Sequence, residues 1–312
     1  MIRFIFIITL AIVLSSWGFN PHKKINENAV YLLPTEIAGF YKKNIQTITQ
    51  KAIDPDKRCY IDTLEGPRHY IDLDKYDAID SIPIHWSQAK EKLSERKLLA
   101  KGIIPWQIYK TYQNLVTAFK QKNLKQIIRY SADLGHYVAD AHVPLHTTSN
   151  YNGQYTNQIG IHAFWETRLP EMFSKDYNLY IGPATYLDDP LNNAWTIVKE
   201  SNSLVDSVLS IEQNLSKRFK TDEIKSYIER NNQLIFTYSD PYATAYHQAL
   251  AGMVEQRFRS SVYQVASYWY SAWIDAGQPK LNSISNSSND NLNDEEINYQ
   301  NKSTKGREEW HE

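Results

Sequence analysis

Apolar positions fall at helical spacing along most of this chain. From Ile108 they recur at Tyr112, Leu115, Val116 and Phe119, and after Asn123, a residue suited to capping, at Leu124, Ile127, Ile128, Leu134 and Val138. Both stretches predict amphipathic helices. The same spacing through Leu250, Met253, Val254, Phe258, Val262, Val265 and Trp269 predicts one long helix. It follows the start signal Asp240-Pro241 and stops near Gly277-Gln278-Pro279. Two-residue alternation able to organise a sheet is absent, and its one candidate, Tyr70 to Leu73, is too short. Residues 54–88, rich in Asp and Pro, and residues 147–160 predict loops long enough to carry function. No internal repeat is found. The expected fold is all-α, a single-domain helical bundle.

The ends of the chain differ from its middle. Arg3 precedes an apolar run from Phe4 to Leu14, broken by Thr9 and followed by Ser15-Ser16, which is the pattern of a signal peptide over residues 1–16. The run is shorter than the ~20 apolar residues a span needs, and no later segment reaches that length. It offers no cysteine for lipidation. A periplasmic or secreted chain, monomeric and without stable membrane insertion, is expected. Past residue 278 the sequence is Ser, Asn, Asp, Glu and Lys with few apolar residues, so residues 278–312 predict a disordered polar tail. That leaves residues 17–277 as the expected folded domain.

Composition sharpens this reading at two points. Export invites disulfides, yet Cys59 is the single cysteine, so no intrachain bridge can form and bound metal is a candidate staple. The net charge of −1 argues against a nucleic-acid binder that relies on a basic surface, though not against a nuclease that holds phosphate through metals.

The strongest local signal is His136-Tyr-Val-Ala-Asp140-Ala-His142-Val-Pro-Leu-His146. On a helix, His136 and Asp140 project from one face, so an imidazole nitrogen and a carboxylate oxygen can share a cation. Pro144 ends that helix and takes His146 out of register toward a second ion. His162 and Glu166 repeat the spacing; alone they would be an ordinary intrahelical polar pair. Trp17-Gly-Phe-Asn-Pro-His22 begins where the signal peptide should end. Cleavage after Ser16 would free an α-amino group on Trp17, of pKa about 8, able to ligate a cation. Asp54-Pro-Asp56-Lys-Arg58 and Arg68-His69 add carboxylates, an imidazole and two guanidinium groups suited to gripping phosphate.

The order Trp-x4-His, an Asp followed about fifteen residues later by His, His-x3-Asp-x5-His and His-x3-Glu resembles the superfamily that joins bacterial zinc-dependent phospholipases C with single-strand-specific zinc nucleases. The spacing from Trp17 and the lack of disulfides look closer to the phospholipase-like branch. The resemblance implies an all-α fold with three zinc ions in a cleft. It implies a first zinc held by Asp54 or Asp56, His69, His136 and Asp140, and a second by His146, His162 and Glu166. A third would be held by the Trp17 amine and carbonyl, His22 and a bridging Asp140. It further implies hydrolysis of phosphate esters by a metal-generated hydroxide, with Asp54 or Asp56 orienting the water; Arg58, and after it Arg68, are candidates to clamp phosphate. The substrate is then a phospholipid or a single-stranded nucleic acid. A zinc-binding envelope protein without turnover is the competing reading. One departure is Val143, where the family usually carries Gln. Tyr151, Tyr155 and Phe164 are candidate substrate contacts or core residues.

Overall fold

The computed structural model describes residues 19–230 and 233–281. The expected signal peptide, Trp17 and the tail beyond residue 281 lie outside the described residues.

Two helices form the centre, Ile104–Lys120 and Leu124–Ala141, packed against each other. Between them Lys122 turns the chain with φ 52°, and the Asn123 side chain accepts from Gln126 N at 3.1 Å, the cap its position predicts. From Ser131 to Ala141 every residue of the second helix is buried. Met253–Asp275 lies along both: Trp269 Nε1 donates to the Ser131 carbonyl at 2.9 Å, and its ring stacks on Tyr41 at 4.8 Å.

The first helix, Phe19–Ala29, crosses the central helix at Gly135. A Cβ on Gly135 would lie 2.0 Å from Asn26 Oδ1, so only glycine admits this approach. Asn26, fully buried, donates from Nδ2 to the Ala132 carbonyl at 3.2 Å. The crossing stacks the rings of His22 and His136, centroids 4.1 Å apart.

The all-α expectation holds, with two corrections. The long helix is broken into Asp240–Ala249 and Met253–Asp275, because Ala251 (φ 49°) and Gly252 (φ 86°) leave the right-handed region and redirect the chain. The expected absence of sheet is overturned by an antiparallel hairpin, Lys225–Arg230 with Gln233–Tyr238. Its strands escape an alternation test because Tyr227-Ile228 and Leu234-Ile235-Phe236 put apolar side chains on both faces. Residues 54–88 hold a short helix, Asp54–Arg58, 3-10 turns at Gly66–His69, Leu73–Lys75 and Ile79–Ser81, and the start of the helix Trp86–Leu93. Residues 147–160 are irregular, as their composition predicts. Among the described residues no helix is long and apolar enough to cross a membrane.

Candidate metal centre

Seven elements bring their side chains to one place. His22 comes from the first helix, Asp56 from Asp54–Arg58, and His69 from the end of the Gly66–His69 turn. His136 and Asp140 sit one turn apart on the central helix. That helix stops at Ala141, ahead of Pro144, and the 3-10 turn Pro144–Thr147 delivers His146. His162 lies in Ile161–Ala163, and Glu166 in the π-helical turn Phe164–Arg168, a widened geometry common at functional sites. Phe164 and Trp165 on that turn are buried and fix it to the core; Phe164 stacks on Tyr238 at 3.8 Å, which makes it a packing residue.

Among the described residues the ligating atoms form four overlapping groups, the fourth being His22, Asp56 and His136. His69 Nδ1 lies 2.9 Å from Asp140 Oδ2 and 3.0 Å from His136 Nε2, and His136 Nε2 lies 3.2 Å from the same oxygen. Asp56 Oδ1 closes this group at 3.5 Å from His136 and 3.9 Å from His69. In the second group, Glu166 Oε2 is 3.2 Å from His146 Nε2 and 3.0 Å from His162 Nε2. In the third, His22 Nε2 stands 3.3 Å from both Asp140 Oδ1 and Glu166 Oε1. Asp140 thus turns one oxygen to each of two groups. Zinc bonds of 2.0–2.1 Å to nitrogen give tetrahedral edges of ~3.3 Å, the scale of these separations.

The proton positions fit a cation better than a hydrogen-bond cluster. A carbonyl oxygen only accepts, so His136 Nδ1, 2.8 Å from the Ala52 carbonyl, carries a proton, as does His146 Nδ1, 2.6 Å from the His69 carbonyl. His69 Nε2 faces Cys59 Sγ at 3.5 Å and Glu65 Oε1 at 3.6 Å. In each neutral ring the nitrogen turned inward is then a bare lone pair aimed at carboxylate oxygens. Such an arrangement repels unless positive charge sits between, and an outer N–H held by a carbonyl or carboxylate is how metal-bound histidines are oriented. In the metal-free chain protons supply that charge. Burial disfavours charged His22, yet the Glu166 hydrogen bond and the Asp140 and Asp56 charges outweigh it and raise its pKa to about 9. His146 is raised against burial by the Glu166 and Asp140 charges, and His69, also against burial, by the neighbouring Cys59 and its hydrogen bond to Asp140. Burial by itself would raise Asp140 and Glu166, but the surrounding imidazoles hold both below the usual carboxylate range.

Three expected residues stand elsewhere. Asp54 is held by Lys51 at 3.6 Å and Lys57 at 3.2 Å and belongs to none of the groups able to hold a cation. Arg58 is committed to Glu65 at 3.3 Å, Asp133 at 3.1 Å and the Tyr137 hydroxyl at 3.2 Å, which leaves it poorly placed to clamp phosphate. Arg68 pairs with Asp62 and Glu65. Glu65 was missed by sequence reasoning. It is fully buried, joins both arginines and Tyr137, and backs His69; its signal was Glu65-x3-His69, the four-residue spacing already used elsewhere. His142, inside the motif but assigned no role, is neutral: burial and then the Arg257 charge push it well below the usual histidine range, and its Nδ1 donates to the Val138 carbonyl at 2.7 Å. Val143, at the departure from the family pattern, lines a pocket behind His22 with Trp165, Phe258 and Arg257.

The cluster is closed at the back and opens toward solvent at Asp56 and His162, whose side chains are 30% and 26% exposed, against 0% for His136. The Tyr151 ring meets His162 edge-on at 5.9 Å beside that opening.

No family model matches the chain, and no curated protein matches it. The alpha toxin from Clostridium absonum is one solved structure to which it is similar, with 14% identity and a TM-score of 0.47 over 86% of this chain. The chain spans 65% of the toxin's length. The all-α class rests on this chain's own helices, and the site on its own donor atoms.

Proposed function

We propose that this chain is a zinc-dependent hydrolase of phosphate esters, phospholipase C-like in its chemistry, with residues 17–277 as its catalytic domain. The observation that carries the reading is the inward-facing lone pairs of His69, His136 and His146, each oriented by an acceptor behind it, converging on Asp140 and Glu166. A structural helical bundle has no use for so many buried titratable groups at that spacing.

Zinc ions held by these groups would supply Lewis acidity toward a phosphoryl oxygen and lower the pKa of water toward neutrality. His69, His136, Asp140 and Asp56 would hold the first ion. His146, His162 and Glu166 would hold the second, and His22 with Asp140 a third, to which the Trp17 amine and carbonyl would add. Asp56, the most exposed carboxylate of the cluster, is suited to orient water and receive its proton at Oδ2, the oxygen that its place in the first group leaves free. The buried Asp140 and the Glu65 network beneath His69 keep the imidazoles in their tautomers as substrate enters past Tyr151 and His162.

The test is hydrolysis of bis(p-nitrophenyl) phosphate by the mature chain. Turnover is expected, abolished by a chelator and restored by zinc, and His136→Ala and Glu166→Gln should each lose both metal and activity. Full zinc content with no turnover on any phosphodiester would make the chain a zinc-binding protein, and full turnover in either variant would refute the ligand assignment.

A further inference from the structure

The hairpin Lys225–Arg230 with Gln233–Tyr238 stands on the segment that carries Glu166. At its base Tyr238 stacks on Phe164, Lys225 Nζ donates to the Ile159 carbonyl at 3.2 Å, and Ser239 N donates to the Ile224 carbonyl at 2.9 Å. Beyond the base, the register pairs Tyr227 with Phe236 and Glu229 with Leu234, which puts Tyr227, Phe236 and Leu234 on one face. They are 70%, 58% and 73% exposed, and the two rings lie 5.2 Å apart. Ile159, beside the base, is also exposed. A two-stranded hairpin is marginal in water, and a contiguous apolar face on one points to a partner.

Three kinds of partner compete. For a second copy the face is small: at the 150–250 Å² a large side chain buries, these three present about 400 Å². A stable interface takes about 800 Å² from each partner. A nucleic-acid strand would seek basic groups around the rings. This face carries Lys225 and Glu229, one charge of each sign, on a chain of net charge −1. A zwitterionic lipid surface requires neither a large area of fixed shape nor net charge. Leu and Phe settle at the boundary of headgroups and acyl chains, with a Tyr hydroxyl left in the wet layer.

We propose that Tyr227, Leu234 and Phe236 form a docking surface for a zwitterionic phospholipid bilayer, shallow and non-spanning. Because the hairpin base packs on the turn that carries Phe164 and Glu166, a bilayer docked on it would lie close to the site, and the substrate is a phospholipid within a membrane. The step from surface to substrate rests on the hydrolase reading; the surface itself does not.

The zinc-loaded chain and its Leu234→Ser/Phe236→Ser variant are to be compared by co-sedimentation with phosphatidylcholine vesicles, turnover of soluble bis(p-nitrophenyl) phosphate, and gel filtration. Each substitution should lower vesicle partition about tenfold, the scale of one buried large apolar side chain, with soluble turnover retained. If the double variant does not fold, Leu234→Gln alone, at the most exposed of the three positions, carries the same test. A wild-type chain that stays in the supernatant overturns the proposal, as does a variant that sediments equally well. So does a wild-type dimer dissolved by the substitutions, or single-stranded DNA binding lost with them in a chain that ignores vesicles. Hairpin-dependent vesicle binding without phosphodiester turnover supports the surface and overturns the hydrolase reading instead.

Discussion

Asp54 and Asp56 stand two residues apart on one short helix and face opposite company. Asp54 sits between Lys51 and Lys57, whereas Asp56 reaches His69 and His136. Asp56→Asn is therefore expected to cost about a hundredfold in turnover on bis(p-nitrophenyl) phosphate, the lower end of what a positioned acid–base group contributes. Asp54→Asn removes partly exposed ion pairs worth ~1 kcal/mol or less and should leave turnover within about twofold. Arg58 offers a second contrast. Its partners Glu65 and Asp133 are buried, so Arg58→Ala leaves Asp133 with only the exposed Arg129 at 3.8 Å and Glu65 with Arg68 as its remaining guanidinium partner, and should destabilise by about 3 kcal/mol in urea unfolding, with KM unchanged. A raised KM at unchanged stability would restore it as a phosphate clamp. Sequence spacing made His136 with Asp140 and His162 with Glu166 legible because a four-residue interval on a helix fixes a shared face. It could not separate Asp54 from Asp56, since that choice depends on the pitch of a five-residue helix and on lysines at both ends.

At the scale of elements, the site depends on one close crossing. Gly135 lets the first helix approach the central helix, and the same crossing sets His22 against His136. Gly135→Ala would drive a Cβ into Asn26, so overpacking of about 1–3 kcal/mol is expected, with weaker metal binding because His22 moves with its helix. Calorimetric titration with zinc checks this; unchanged affinity would show that His22 is not held by the crossing. The helices Ile104–Lys120 and Leu124–Ala141 were legible because their apolar stripes and the Asn123 cap agree. The break at Ala251-Gly252 was not: Leu250, Met253 and Val254 keep helical spacing across it, and only the backbone angles show that the chain turns. The hairpin escaped for the opposite reason, since a strand with apolar residues on both faces loses its two-residue signature.

The chain has one cysteine, and among the described residues the buried His22, His69, His136, Asp140 and His146 meet at one centre, so under the proposed function metal would be its staple. Its stability should depend on pH in a way that zinc removes. In the metal-free chain His22 is raised from 6.5 to about 9, so its contribution is full below pH 6.5 and lost as pH rises through 9. Asp140 and Glu166 are depressed, so theirs is present above the ordinary carboxylate range and lost as pH falls below it. The Tm of chelated protein should therefore fall from pH 6.5 to pH 9, while the zinc-loaded Tm stays level over that interval because metal has replaced the protons. Parallel curves would mean that the imidazoles do not exchange protons for metal.

Anomalous diffraction at the zinc absorption edge, from crystals of the mature chain grown with zinc, addresses the centre most directly. The account predicts peaks about 2 Å from His136 Nε2, His146 Nε2 and His22 Nε2, with Asp140 shared between two of them. A map with no peak there, and with the imidazoles hydrogen-bonded straight to Asp140 and Glu166, would contradict it.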